Sequence, residues 1–242
     1  MRMGRSLASA GVVAIAISNE RKRRVRLIDF VIANLPSYLA GFRVTLLLLA
    51  VSGVCALVLG TIVVAMRISP VAALSRVAAV YTEILRCTPL TLVLFFFAVI
   101  LPYLGSHLSF TAAAIIGLTL YTSPFVAESL RSGINGVPIG QAEAARSIGM
   151  GFRQALTLVV LPQAFRMVIP PLVNTFVALT KNTSVAGGFF VIELVTVGKA
   201  LANDNGNAVV AVLLGVATFY LLITIPLSLV AGRLEKKWVV TR

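Results

Sequence analysis

Charged and chemically reactive side chains are scarce in this sequence of 242 residues. Only 12% of the residues are charged, against 59% that are hydrophobic. So little charge cannot cover the exterior of a water-soluble domain, which excludes a soluble enzyme. The two cysteines, Cys55 and Cys87, lie in apolar runs and cannot build a disulfide framework, and the single histidine excludes a multi-histidine metal site. The composition is typical of a membrane protein, and we expect no bound metal.

Acidic residues are also few, with 8 of them beside 21 lysines and arginines, which gives a net charge of +13. In a soluble domain this excess would indicate a nucleic-acid partner. Here the basic residues flank apolar segments, where they orient a chain in the membrane and contact anionic lipid. We therefore expect membrane lipid, and no nucleic acid, as a partner.

Long apolar runs predict an all-α membrane protein with about five transmembrane helices. A helix needs about 20 mostly apolar residues to cross roughly 30 Å of hydrocarbon. Three runs meet this requirement: 44–66, 110–130 and 209–231. A further run, 88–104, is long enough only if its helix begins near Tyr81. The dipeptide Thr88-Pro89 is expected to bend or start this second span.

The fourth span is harder to place, because Pro162, Pro170 and Pro171 interrupt the apolar sequence between 150 and 200. Proline suits the first turn of a helix, where its missing N–H costs nothing. We therefore predict that this span begins near Pro170 and that 152–166 is an amphipathic stretch at the membrane surface. Lys181 then lies about 11 residues, or roughly 16 Å, along the helix and near mid-membrane.

Basic residues between the spans predict the orientation of the chain. They cluster in the loop after the first span, in the loop after the third span and behind the last span: Arg67, Arg76, Arg131, Arg146, Arg153, Arg233, Lys236, Lys237 and Arg242. Cytoplasmic loops of membrane proteins are enriched in lysine and arginine. The pattern predicts that the N-terminus is outside and the C-terminus inside, with 233–242 as a basic cytoplasmic tail.

Residues 1–43 do not fit this pattern. Five basic residues between Arg21 and Arg26 lie on the side just assigned to the exterior. Residues 7–17 are apolar but too few to span a membrane comfortably. A surface helix, a cleaved leader, a start codon assigned too early and a sixth short span that places the cluster inside all remain open. We assign 1–43 as an N-terminal basic segment, interfacial or partly disordered, and 44–232 as the transmembrane domain.

The polar segment at 139–162 carries a spaced motif. Its elements are Glu143, Ala144 and Ala145, then Gly149 after three residues, then Val159, Leu161 and Pro162. This motif resembles the EAA loop of permease subunits of ATP-binding-cassette (ABC) importers, with Val159 in place of isoleucine. The resemblance implies a type I importer transmembrane domain. In such a domain the loop 139–162 is cytoplasmic and couples to an ATPase dimer, here through Glu143, Ala144, Ala145, Arg146 and Gly149.

The residue types of this loop suit such a contact. Residues 141–148 favour a short helix, and Gly149 can end it. Pro138 and Gly140 are expected to end the structure that precedes the helix. The two small alanines permit close approach by a partner protein, whose groove the helix could occupy. An ordinary amphipathic surface helix is the alternative.

Three further segments resemble the permeases of polar amino acids: 81–90, with Cys87 where that group has glycine, 125–134 and 178–187. The resemblance covers roughly 42–237, and several phrases are most similar to glutamate-uptake permeases of actinobacteria. It implies transport of a polar amino acid such as glutamate, glutamine or aspartate across the plasma membrane of a bacterium. It also implies two partners: a second permease chain, identical or homologous, and an extracellular substrate-binding protein.

Nucleotide-binding and catalytic motifs are absent from the sequence. No GxxxxGK[ST] segment occurs, so we expect no cofactor on this chain, and ATP with Mg²⁺ on the partner ATPase. Neither GxSxG nor HExxH is present, which argues against a membrane enzyme. A secondary carrier or channel that works without ATP is the main alternative. A lipid-acting enzyme and a receptor that binds a cytoplasmic partner are the others.

Polar residues expected inside the membrane are candidates for the substrate pathway. On this basis we assign to it Lys181, Asn182, Thr183, Ser184, Glu128, Arg86 and Thr88. A helix break at Gly187 and Gly188, with the helix resuming through 189–198, would free backbone groups nearby. Lys181 favours an anionic or neutral substrate. In family members that carry cationic amino acids, the position of Asn182 is often acidic.

Each of these assignments has a structural alternative. Lys181 could pair with Glu128 or Glu193 and so hold two helices together. Glu83 and Arg86, three apart on one helix face, are expected to neutralise each other. Close helix packing without chemistry is expected at three glycines inside the spans: Gly53, Gly60 and Gly117.

Overall fold

Residues 27–238 are described by the computed structural model, and every regular element in that range is helical. The helices are α1 (27–33), α2 (Leu35–Arg67), α3 (Ala72–Cys87), α4 (Leu90–Tyr103), α5 (Phe110–Asn135), α6 (Ile139–Ser147), α7 (Phe152–Ala186), α8 (Leu194–Asp204) and α9 (Val209–Trp238). Residues 96–100 of α4 and 155–160 of α7 form wider, π-helical turns. The predicted all-α class is confirmed.

Length and hydropathy identify the helices that can cross a membrane. Within the described range, four segments qualify alone: α2, α5, α7 and Gly206–Leu234, which contains most of α9. The pair α3 and α4 qualifies as one broken span, bent by 101°. The structure therefore has four or five segments long and apolar enough to cross a membrane, in agreement with the expected number of about five.

The centre of the bundle is formed by α2, α5 and α7, which pack where small residues let them approach. Gly53 of α2 lies against Phe176 of α7, and Gly60 of α2 lies against Val126 of α5. Gly117 of α5 lies against α4. The predicted packing role of these three glycines is confirmed.

The bundle has two ends that carry different short helices. The helices α2 and α5 run parallel, because Ser52 lies level with Ile115, to whose carbonyl oxygen it donates a hydrogen bond, and Gly60 lies level with Val126. Helix α6 follows the C-terminal end of α5. Helix α8 instead begins beside Gly41, near the N-terminal end of α2. We refer to these as the α6 end and the α8 end.

Helix α2 begins at Leu35, nine residues before the predicted start of the first span. The assignment of 1–43 as a separate basic segment therefore places its boundary inside a helix. Polar side chains such as Arg43 had shortened the apolar run, but a helix continues through them when one face packs well. Tyr38 supplies that packing, because it is fully buried and stacks on Phe219 of α9 with ring centroids 5.7 Å apart.

The second span is not one helix from Tyr81 onward. The helix stops at Cys87, Thr88 is extended, and α4 begins at Leu90 after Pro89. Proline forces the residue before it out of the helical region and lacks an N–H of its own. The predicted bend at Thr88-Pro89 is confirmed, and it separates α3 from α4.

The predicted start of the fourth span at Pro170 is wrong. Helix α7 is continuous from Phe152 to Ala186, and both Pro170 and Pro171 lie inside it. Two adjacent prolines remove only two backbone donors, and packing against α5 and α9 stabilises the rest of the helix. Residues 152–166 are thus the first part of α7 and not a separate stretch.

The end of α7 agrees better with the prediction. The helix ends at Ala186, directly before Gly187 and Gly188. The chain then turns and runs without helix until α8 begins at Leu194, five residues later than the predicted resumption at 189. Lys181 is five residues from the end of α7, or about 8 Å at the helical rise.

The C-terminal boundary also differs from the prediction. Helix α9 continues through Trp238 and so includes the first part of the predicted tail 233–242. Charged side chains do not by themselves end a helix, so α9 continues past the end of its apolar segment. The remaining tail residues, the apolar run 7–17 and the basic cluster at 21–26 lie outside the described residues.

Candidate substrate and ATPase-coupling sites

Helix α6 forms the short helix that the motif predicts. Gly149 ends it with φ +88°, in the left-handed region that favours glycine. The N–H of Met150 donates to the carbonyl oxygen of Ala145 at 3.2 Å, and that of Gly149 to Arg146 at 3.0 Å. The predicted helix with its Gly149 cap is confirmed. Gly140, however, lies inside α6 and does not end the preceding structure.

The two faces of α6 have different environments. Ala145 is 5% exposed and faces the chain itself, because α6 packs against residues 155–160 of α7. Glu143, Ala144 and Arg146 are exposed, and the structure shows no ion pair between Glu143 and Arg146. Ala145 is therefore not accessible to a partner, whereas Glu143, Ala144 and Arg146 are. Large apolar side chains are exposed beside them, at Ile139, Ile148 and Phe152.

A cavity of about 370 Å³ lies between α5 and α7. Its lining combines aromatic rings, hydroxyls and amides: Tyr121, Thr122, Phe125, Asn174, Thr175, Ala178, Leu179 and Asn182. A few polar groups in a mostly apolar concave surface are typical of small-molecule sites, which start at about 300 Å³.

Several groups of this cavity are available to a ligand. The hydroxyl of Thr122 is buried and has no hydrogen-bond partner among the described residues. Buried polar atoms are normally paired, so this one is a candidate contact. Arg86 of α3 lies over Phe125, a residue of the cavity lining, with its guanidinium carbon 6.0 Å from the centre of the ring.

The structure separates the predicted run at the end of α7. Asn182 lines the cavity, and Lys181 beside it is exposed. Thr183 is fully buried and donates to the carbonyl oxygen of Thr180 at 2.7 Å. Ser184 donates to the carbonyl oxygen of Lys181 at 2.6 Å. Of these four side chains, only Asn182 lines the cavity.

The other predicted pathway residues are placed differently. Thr88 is at the α3–α4 bend, and its hydroxyl donates a hydrogen bond to the carbonyl oxygen of Ile84 in α3 at 2.7 Å. Glu128 forms an ion pair with Arg131 at 2.7 Å and lines a separate small cleft with Arg67 and Thr82. Glu128 is therefore not part of the cavity.

The expected ion pairs are not formed. Glu128–Arg131 is the single ion pair among the side chains that the structure describes, so Lys181 pairs with neither Glu128 nor Glu193. Glu83 and Arg86 do not pair either. Glu83 accepts a weak hydrogen bond from Cys87 at 3.7 Å, and Arg86 is turned toward Phe125. Both alternatives drawn from the sequence are wrong.

Most cavity residues were not predicted, although the sequence contains a signal for some of them. Asn174, Ala178 and Asn182 follow each other at intervals of four residues, which places them on one face of α7. Tyr121 and Phe125 show the same spacing on α5, and their rings lie 5.4 Å apart. The described residues contain no group of three or more His, Cys, Asp or Glu that could hold a metal ion.

Known proteins provide an independent comparison. Residues 56–240 match the family described as binding-protein-dependent transport system inner membrane component. The chain is 42% identical over 222 residues to the glutamate transport system permease protein GluC of Corynebacterium efficiens, covering 86% of this chain and 96% of that protein. It is 41% identical over 204 residues to the probable glutamine ABC transporter permease protein GlnM of Bacillus subtilis, covering 84% and 94%. The fold matches the crystal structure of an amino acid ABC transporter with histidines at a TM-score of 0.78 and 26% identity, covering 85% and 96%.

These matches, together with the helix bundle and its exposed α6, show that the chain belongs to the inner-membrane permease components of binding-protein-dependent ABC transport systems. The family places the chain in the bacterial cell membrane. Such subunits have no ATPase site, and a partner subunit hydrolyses ATP.

Proposed function

We propose that this chain is the permease subunit of an ATP-driven importer that moves glutamate, glutamine or aspartate into the cell. The observation that carries the proposal is the cavity of about 370 Å³ between α5 and α7, with Lys181 exposed next to it. The choice among amino acids is supported by relatives that are named as glutamate and glutamine permeases.

The lining of the cavity supports a polar substrate without positive charge. Asn174 and Asn182 offer amide donors and acceptors, and Thr122 offers an unpaired hydroxyl. Lys181 and Arg86 lie near the cavity and would attract a carboxylate. Among the residues that the structure describes, no Asp or Glu lines it to attract a cationic side chain. The charges therefore favour an acidic or amide side chain over arginine or lysine.

The mechanism we propose assigns the two ends of the bundle to opposite sides of the membrane. A binding protein delivers substrate outside, at the α8 end, and two permease chains form the path. An ATPase dimer that holds ATP and Mg²⁺ contacts α6 in the cytoplasm, through the exposed Glu143, Ala144 and Arg146 and the turn at Gly149. In this arrangement the N-terminus is outside and the C-terminus inside. Movement of α6 passes directly into α7, which lines the cavity.

A lysine substitution tests the cavity assignment. Lys181→Ala should raise the KM for glutamate uptake about tenfold, because loss of a hydrogen bond to a charged group costs about 1.5–3 kcal/mol. The measurement is uptake of labelled glutamate, aspartate, glutamine and arginine by the reconstituted importer. Lys199→Ala is the matched control, since Lys199 is an exposed lysine of α8. Unchanged KM and maximal rate in Lys181→Ala would remove this residue from the pathway.

A further inference from the structure

Glu193 is a fully buried acidic residue between α7 and α8, and it belongs neither to the cavity nor to α6. Its carboxylate accepts hydrogen bonds from the backbone N–H groups of Val195 and Thr196, both at 2.9 Å, and from the hydroxyl of Tyr220 at 3.0 Å. No lysine or arginine pairs with it in the described part of the chain. The carboxylate is thus held by the N-terminus of α8 and by one hydroxyl of α9.

The length of this side chain matters for its contacts. Serine or aspartate is the usual residue that caps a helix N-terminus, and either would satisfy the amides of α8. A glutamate carboxylate reaches further, and here it also contacts Tyr220 of α9. The hydroxyl of Thr196 also lies 3.3 Å from the carboxylate of Glu193. Burying a carboxylate is costly unless it is hydrogen-bonded, so the site must keep these donors in place.

Three helices and the turn after α7 meet around this carboxylate, and we name the group formed by Glu193, Thr45, Thr196 and Tyr220 the Glu193 junction. The hydroxyl oxygen of Thr196 in α8 lies 3.3 Å from the carbonyl oxygen of Gly187, the residue directly after α7. Thr45 of α2 is fully buried and accepts a hydrogen bond from the N–H of Leu194 at 3.2 Å. Tyr220 belongs to α9. The junction therefore joins α2, α8 and α9 to the end of α7.

The turn that follows α7 is packed directly onto this junction. A Cβ atom added at Gly187 would overlap the carboxylate of Glu193 and lie 2.6 Å from the hydroxyl oxygen of Thr196. Three residues on, Phe190 has φ +63°, a left-handed conformation that costs an aromatic residue about 1 kcal/mol or more. A strained turn of this kind persists only when its neighbours hold it in place.

We propose that Glu193 is a positioning residue for the substrate pathway. Its carboxylate packs against Gly187 and so fixes the turn directly after α7. This contact sets the rotation of the end of α7, and with it the directions of Lys181 and of Asn182, which lines the cavity. The inference rests on the proposed substrate role of those two residues, although the positioning itself can be measured without substrate.

The test uses Glu193→Gln in the whole importer, with permease, ATPase and binding protein. Glutamine has nearly the same size as glutamate. Its NH₂ group, however, would replace a carboxylate oxygen that now accepts a hydrogen bond, and it cannot accept that bond. The first measurement is the labelling rate of Lys181→Cys by a water-soluble maleimide, after Cys55 and Cys87 have been replaced by serine. The second is the KM for uptake of labelled glutamate or glutamine, whichever the unmodified importer takes up. Asp204→Asn is the control, because Asp204 is an exposed acid at the end of α8.

We expect Glu193→Gln to change the labelling rate at least about threefold and to raise KM about tenfold, with basal ATPase activity unchanged. An unchanged labelling rate in Glu193→Gln would overturn the proposal. If Lys181→Ala raises KM, a Glu193→Gln variant with a changed labelling rate but a normal KM would also overturn it. If labelling changes but Lys181→Ala transports normally, Glu193 still positions α7, and only the proposed pathway fails.

A milder variant covers the case in which Glu193→Gln does not accumulate in the membrane. Tyr220→Phe removes one donor to the carboxylate and keeps the aromatic ring. Tyr103→Phe is its control, because Tyr103 is 94% exposed. Tyr220→Phe should shift labelling and KM in the same direction, by a smaller factor. Identical values in the two tyrosine variants would overturn the proposal.

Discussion

Gly60 lies at a close contact between α2 and α5. A Cβ atom at this position would lie 2.6 Å from Val126 Cγ1 and 2.8 Å from the carbonyl oxygen of Ser123. The carbonyl oxygen belongs to the backbone of α5 and cannot move aside. We expect Gly60→Ala to destabilise the permease by about 1–3 kcal/mol, the usual cost of an overpacked core.

Thermal unfolding of the purified permease, followed by size-exclusion chromatography, measures this effect. Gly232→Ala is the matched control, since no atom of the described residues lies within 4 Å of a Cβ atom added there. The control should melt at the same temperature as the unmodified protein, or slightly higher because alanine favours a helix. Equal melting temperatures for both variants would contradict the close contact.

Some residues of the site could be predicted from the sequence, and others could not. A lysine and an asparagine near the end of an apolar helix are visible in the sequence, and Asn182 does line the cavity. The burial of Thr183, one residue later, depends on which face of α7 meets α9. Glu193 appeared in the sequence only as a partner for Lys181, because the hydrogen bond that it accepts from Tyr220 joins residues 27 positions apart in the chain.

The adjacent alanines Ala144 and Ala145 of α6 differ in exposure, so the same bulky substitution at each tests a different contact. Ala144 is exposed, whereas Ala145 is 5% exposed against α7. We expect Ala144→Leu to leave the melting temperature of the permease unchanged and to reduce the ATPase retained during purification. Ala145→Leu should destabilise the permease by about 1–3 kcal/mol and so lower its melting temperature. Equal effects of the two substitutions on both measurements would contradict the orientation of α6.

Helix α7 shows why its boundaries could not be predicted from hydrophobicity. The prolines and Arg166 break the apolar window, yet the backbone stays helical because the interruption costs little beside the contacts with α5 and α9. Hydropathy indicates which part of a helix lies in an apolar environment, and it does not predict where the helix begins or ends. Cap signals were more reliable, as Gly149, Pro89 and the pair Gly187-Gly188 all mark boundaries that the structure contains.

In the whole molecule, the family and the number of spans were predictable because they depend on local patterns. The spacing from Glu143 to Pro162 identified the loop, and apolar runs identified the spans. The cavity was not predictable, since its lining combines side chains of α5 and α7, two helices that are distant in the sequence. Its lining comes from helices whose relative rotation no single segment encodes.

The central claim is that α6 couples a partner's ATP hydrolysis to amino-acid import through this chain. The most direct test is ATP-driven uptake of labelled glutamate, with glutamine in parallel, by the importer reconstituted with its ATPase and binding protein, comparing Glu143→Lys with the unmodified permease. Glu143 is exposed on α6, so charge reversal should leave the amount of permease in the membrane unchanged. The account predicts a loss of at least about tenfold in substrate-stimulated uptake, the factor that corresponds to 1.4 kcal/mol. Full uptake by Glu143→Lys would contradict it.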